Sequence, residues 1–173
     1  MSTSHLPLYL VIKGPPPKQN EIDRQRRAVG ISHDYDVERL HTTLKPLGLE
    51  KDWTAAMRRT LKTVLTGMHA PPFYIEFDRI IGNLLCGGEA LRAALTFQRM
   101  IARRLTRSGL ILPSYRFKPH VTLAYGSQSD RQMAIEPIGW TVEEFLLIRS
   151  GHGRHEPLEH WSLIDREPLL PLF

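Results

Sequence analysis

The sequence predicts an α+β domain in which two small sheets line a cleft and helices cover the outside. Three observations lead there. Strand-like and helix-like stretches alternate twice along the chain. The tetrapeptide His-x-Thr-Leu occurs twice, as His41-Thr42-Thr43-Leu44 and His120-Val121-Thr122-Leu123. Both copies sit in similar settings, with a lysine and a proline close by. From position 41 to position 120 is 79 residues, so the copies meet only by folding. The pattern is that of a duplicated half-domain with a pseudo-twofold axis between the motif strands.

Leu8 to Lys13 reads as a buried first strand, stopped by Gly14 and the prolines at 15 to 17. Glu21 to Val29 reads as a helix, with Ile22, Arg26 and Val29 on one face and Gly30 as its stop. Arg39 to Leu47 is the first motif strand, ended by Gly48. Trp53 to Leu65 repeats apolar residues at helical spacing, with Arg58, Arg59 and Lys62 turned to water. Phe73 to Phe77 and Ile80 to Cys86 read as strands on either side of a bend at 78 to 82.

The longest helical pattern runs from Glu89 to Thr106. Leu91, Ala94, Leu95, Gln98, Ala102 and Leu105 form its inner face, Arg92, Arg99 and Arg103 its outer one, and Gly109 ends it. His120 to Tyr125 is the second motif strand. Phe145 to Ile148 and His160 to Ile164 form a closing pair, and Pro168 to Phe173 is expected to pack as an extended segment. The motif strands are expected at the centre.

Composition narrows the functional classes. The chain has 173 residues, 42% hydrophobic and 24% charged, which suits one ordinary globular domain over residues 1–173. The single Cys86 excludes an internal disulfide, and there is no Cys-x-x-Cys pair for zinc. With no signal-like start and no long apolar run, a cytoplasmic protein without membrane spans is expected, and a monomer. A net charge of +5 suits a polyanionic partner such as RNA.

The motifs themselves point to chemistry. In an extended strand residues i and i+2 share a face, about 6.5–7 Å apart. Each repeat therefore presents an imidazole beside a hydroxyl, His41 with Thr43 and His120 with Thr122. Thr42, Val121, Leu44 and Leu123 turn to the packed side. Hydrolysis of a strained cyclic phosphodiester needs a base for water, an acid for the departing oxygen and donors for the phosphoryl oxygens. Histidine, with an unperturbed pKa of about 6.5, fills either proton role at neutral pH. The threonine hydroxyls supply the donors, and neither metal nor cofactor is required.

On these motifs, together with Leu8 to Pro17, Leu40 to Gly48, the long helix before Gly109, and Phe117 to Gly126, the chain resembles the two-histidine (2H) phosphoesterase superfamily. Its bacterial 2′-5′ RNA ligase and RNA 2′,3′-cyclic phosphodiesterase group is the nearest. The resemblance implies a bilobal fold with two intertwined lobes. It also implies metal-free opening of 2′,3′-cyclic phosphate ends of RNA or nucleotides to a 2′-phosphate, and in some relatives reversible 2′-5′ ligation. Carried over, it makes His41 and His120 catalytic and Thr43 and Thr122 phosphate-binding. His120 is assigned as base and His41 as acid, with the reverse left open by symmetry.

Two positions depart from the family pattern. Lys118 stands two before His120, where many relatives carry Arg, and keeps the charge without the bidentate fork. Thr42 stands where relatives are often apolar. Further substrate contacts are expected from Lys118, from Tyr125 by stacking on a base, and from Arg149 at a phosphate, although Tyr125 and Arg149 could equally pack or face solvent.

Other readings compete. The run from His152 to His160 could suggest a metal hydrolase using His152, His155 and His160, but its Gly and Pro favour a solvated loop. The arginines of the long helix read as a solvated face, and Cys86 as a small core residue. An RNA-end-binding module without useful catalysis is the alternative to an enzyme.

Overall fold

The computed structural model describes residues 5–126 and 129–164, so the segment from Pro168 to Phe173 lies outside the described residues. In chain order the elements are β1 (Pro7–Ile12), α1 (Pro16–Ala28), β2 (Thr42–Leu49), α2 (Ala55–Thr66), β3 (Phe73–Ile81), β4 (Leu84–Cys86), α3 (Arg92–Arg107), β5 (His120–Thr122), β6 (Gln132–Val142), β7 (Glu144–Gly151) and β8 (Arg154–Ser162). They build two four-stranded sheets, β2-β1-β7-β8 and β5-β4-β3-β6, in which every neighbouring pair is antiparallel. The first sheet takes strands from both ends of the described chain, and the second is inserted between them as one continuous stretch from β3 to β6.

The motif strands are not central in their sheets. Both β2 and β5 are edge strands, and these two edges lie against each other. The segment leading into β5 is tied to β2: the Tyr115 hydroxyl donates to the Thr43 carbonyl at 3.3 Å and Lys45 Nζ to the Pro113 carbonyl at 2.6 Å.

Several boundaries moved for local reasons. Helix α1 begins at Pro16, earlier than Glu21, because the missing N–H of proline costs nothing in a first helical turn. Its inner face is as expected, with Ile22 and Arg26 each 1% exposed. Helix α2 starts after Thr54, whose hydroxyl accepts from the Met57 N–H at 3.1 Å. Phe73 to Ile81 is one strand, with a register shift between Phe77 and Arg79, and the bend contracts to the turn at Gly82-Asn83. Helix α3 buries Phe97 and Ile101 beside Ala94, Gln98 and Leu105, while Arg92, Arg99 and Arg103 stay exposed.

Two strands escaped the sequence reading. β6 carries Pro137 and Gly139, which read as loop, but it is an edge strand, and positions 135 to 137 fall in the register shift where ladder bonds are not required. The run from His152 to His160 is no solvated loop. β7 and β8 form a hairpin turning at His152 (φ 49) and Gly153 (φ 72), two positive values as a tight two-residue turn demands.

The core joins the packed faces of both sheets to the three helices. Thr42, Leu44, Val121 and Leu123 are 2%, 0%, 1% and 1% exposed, as the alternation predicted. In β1 the even positions Leu8, Leu10 and Ile12 belong to the continuous core, while Val11, equally buried, lies outside it. Val11 faces the other way, and β8 touches the 3-10 turn Val37–Arg39 just before the first motif. The first sheet thus curls over its own concave face.

Candidate active site

Each motif histidine is oriented by its own backbone. His41 sits one residue before β2, and its Nδ1–H donates to the Arg39 carbonyl at 2.6 Å. In the same way His120 Nδ1–H donates to the Lys118 carbonyl at 2.7 Å. A carbonyl only accepts, so in both rings a proton sits on Nδ1, and Nε2 lies on the far side of the ring from this tie. The extended residues before each motif strand fold the ring back on the carbonyl two positions upstream, which fixes its tilt without any distant partner.

Around His41 the site is closed. Thr43 Oγ1 lies 3.1 Å from Nε2, so the hydroxyl donates to the neutral imidazole. The ring edge meets His155 of β8 at 4.7 Å between centroids and 73° between planes. Burial pushes the His41 pKa down to about 4, helped by the charges of Lys13, His120 and Arg39 and opposed by the bond to the Arg39 carbonyl. His155 is pushed down to about 3, again by burial first, then by His41, Lys13 and Arg39. Both imidazoles are neutral at pH 7.

His120 lies on a more open face. In the cross-strand row it pairs with Cys86, which pairs with Arg79, so these three side chains share one side of the second sheet. Cys86 is therefore half-buried on this face and not a core residue. Next along, Thr122 opens onto a groove of about 550 Å³ that runs over Leu84 and Ile81 past Tyr125. The strand is held from behind by Arg26 of α1, whose Nη1 donates to the Leu123 carbonyl at 3.0 Å while Asp23 pairs with the same guanidinium.

The expected secondary contacts divide. The Lys118 side chain is exposed beside the His120 anchor. Tyr125 is 68% exposed and meets Tyr35 edge-on at 5.2 Å, leaving ring surface for a base. Arg149 is engaged elsewhere, by Glu50 at 2.8 Å and Glu156 at 2.6 Å. These two carboxylates account for its charge without a phosphate. Among the described residues no three His, Cys, Asp or Glu side chains are grouped to hold a metal ion. His152 is exposed in the turn, His160 is exposed on β8, and only His155 turns to the site.

His155 is the site residue the sequence reading missed. The sole signal was a histidine inside a Gly- and Pro-containing run, and it takes the hairpin's curl to bring it to His41. A cavity of about 820 Å³ lies not between the motif histidines but beside them, walled in part by Lys13, Arg39, Trp140 and His155.

Comparison with known proteins identifies the family and the fold. A family model described as the 2′-5′ RNA ligase superfamily matches residues 14–154. Among solved structures, E. coli LigT complexed with 3′-AMP superposes with a TM-score of 0.75 at 22% identity, covering 93% of this chain and 99% of LigT. LigT in its apo form gives 0.72 at 24% identity, with 94% and 99% covered. A protein of Thermus thermophilus gives 0.67 at 19%, with 91% and 98% covered. No curated protein matches the chain.

Proposed function

The chain belongs to the 2′-5′ RNA ligase superfamily, as a LigT-like member of the two-histidine phosphoesterases, and on that premise we propose that it opens 2′,3′-cyclic phosphate ends of RNA to 2′-phosphates without a metal. The observation that carries the reading is the pair of facing edges. Each presents an imidazole with its Nδ1 tied to a carbonyl and its Nε2 directed away from that tie, beside a threonine two residues on.

In this reading a water molecule attacks phosphorus as its proton passes to one Nε2. The bond from phosphorus to O3′ breaks, and the other imidazole gives its proton to the departing O3′, leaving the phosphate on O2′. Thr122 donates to the non-bridging oxygens, and Thr43 does so once substrate turns its hydroxyl away from His41 Nε2. A 5′-hydroxyl in place of water gives a 2′-5′ linkage by the same steps. The depressed pKa of His41 supports it as the base, opposite to the assignment made from sequence, because a group neutral at pH 7 accepts a proton and does not arrive with one. His120 is then the acid.

The test is a short RNA ending in 2′,3′-cyclic phosphate, incubated with the protein in EDTA and resolved into 2′- and 3′-phosphate products. A 2′-phosphate is expected. Tight binding of the RNA with no product would leave a binding module, and dependence on added zinc would replace the two-histidine chemistry.

A further inference from the structure

Three of the four buried side-chain polar atoms without a hydrogen-bond partner among the described residues belong to one cavity: Arg39 Nε, Trp140 Nε1 and His155 Nδ1 are all on residues that wall the 820 Å³ space beside His41. The first two can only donate. Trp140 is 6% exposed, so its N–H has given up water and gained nothing in return. Lys13 reaches the same wall; it spends one N–H on the Glu38 carbonyl at 2.6 Å and keeps two. The wall thus carries unspent donors on one tryptophan and two cations.

The carboxylates of this cavity lie elsewhere. Asp36, Glu38, Glu143 and Glu144 are exposed, where water screens them, while Lys13, Arg39 and His155 are half-buried. With Arg154 a further, exposed cation of the lining, an acceptor-rich anion of limited size fits the half-buried side, where the donors are and the carboxylates are not. The position is telling as well. His155 both walls the cavity and touches the His41 ring, and Arg39 both walls it and holds His41 Nδ1.

Resting on the cyclic phosphodiesterase reading, we propose that this cavity is a second phosphate subsite, which takes the phosphoryl group on the 5′-oxygen of the same nucleotide whose cyclic phosphate lies between His41 and His120. Arg39 and Trp140 donate to its oxygens, and Lys13 supplies charge. The substrate class that follows is a terminal nucleotide carrying a 5′-phosphoryl group in addition to its cyclic end.

The experiment compares kcat/KM for three substrates: a nucleoside 2′,3′-cyclic phosphate, the same compound with a 5′-phosphate, and a dinucleotide with a cyclic end. The wild type is expected to prefer both phosphorylated forms at least tenfold. A free 5′-monoester preferred over the dinucleotide identifies a mononucleotide as the occupant, and the opposite order a chain. In Lys13→Met and in Trp140→Phe, each folded by circular dichroism, the preference should fall towards one. A wild-type ratio near one, with the cyclic phosphate still opened, overturns the subsite and leaves the reaction. If nothing is opened, calorimetry with nucleoside 3′-phosphate and 3′,5′-bisphosphate decides: tenfold tighter bisphosphate binding, lost in both variants, keeps the subsite, and equal affinities reject it.

Discussion

The two lobes use one tetrapeptide and one trick of backbone geometry, yet they give their histidines different surroundings. His41 and His120 are anchored by carbonyls two residues upstream at 2.6 and 2.7 Å, nearly the same bond. Beyond that bond the likeness ends. The first sheet curls until His155 seals His41, whereas the second leaves Thr122 facing an open groove. Local sequence sets where each ring points, and for His41 burial under its neighbours keeps the ring neutral at pH 7.

The comparison can be broken first at the rings. His41→Ala and His120→Ala should each lower kcat by about 10²–10⁴, with melting curves close to wild type. A residual rate within about tenfold of wild type in either variant would remove that histidine from the proton transfers. The hydroxyls come next. Thr43→Val and Thr122→Val should each cost about 10² in kcat, and only Thr43→Val should also move the pH profile, because only Thr43 bonds its histidine.

A third effect concerns the support of the open side. Arg26 is 1% exposed and bonds both Asp23 and the Leu123 carbonyl. Arg26→Met strands those partners and should cost about 3 kcal/mol in denaturant unfolding.

Acid reports on the closed side. His41 and His155 have folded pKa values of about 4 and about 3, against about 6.5 unfolded. Between pH 6.5 and 4 the unfolded chain binds protons that the folded chain does not, so stability falls as pH falls through that window. By pH 5 the loss should be about 2 kcal/mol from His41 and, after discounting for solvent screening, about 1 kcal/mol from the less buried His155. His155→Phe should flatten the slope, and an unchanged slope would show that His155 is protonated in the folded protein. The smallest effect is expected at Arg149, where Ala should cost about 1 kcal/mol of stability and leave KM unaltered. A raised KM would return Arg149 to the substrate.

How much of this was legible in the sequence depended on range. The period-2 alternation of Thr42, Leu44, Val121 and Leu123 is local, and their burial followed from it. So did the arginine-bearing outer face of α3. What stayed hidden was set by tertiary context. Pro137 and Gly139 disguised β6, because nothing local says that a strand will be an edge with a register shift. His155 looked like part of a loop, because its contact with His41 depends on how far a sheet curls. The edge placement of β2 and β5 was equally out of reach, since strand order is a property of the whole chain.

That placement has one more consequence. An open sheet edge is a row of unpaired peptide groups that invites another molecule's strand, and natural proteins blunt such rows with prolines, charges or irregular register. Here β2 and β5, each an edge, are turned towards one another, so each denies outside strands access to the other. The cleft between the motif strands is in that sense also a shelter. Insertions that prise the lobes apart should bring self-association at concentrations where the parent chain stays dispersed, and light scattering would register it.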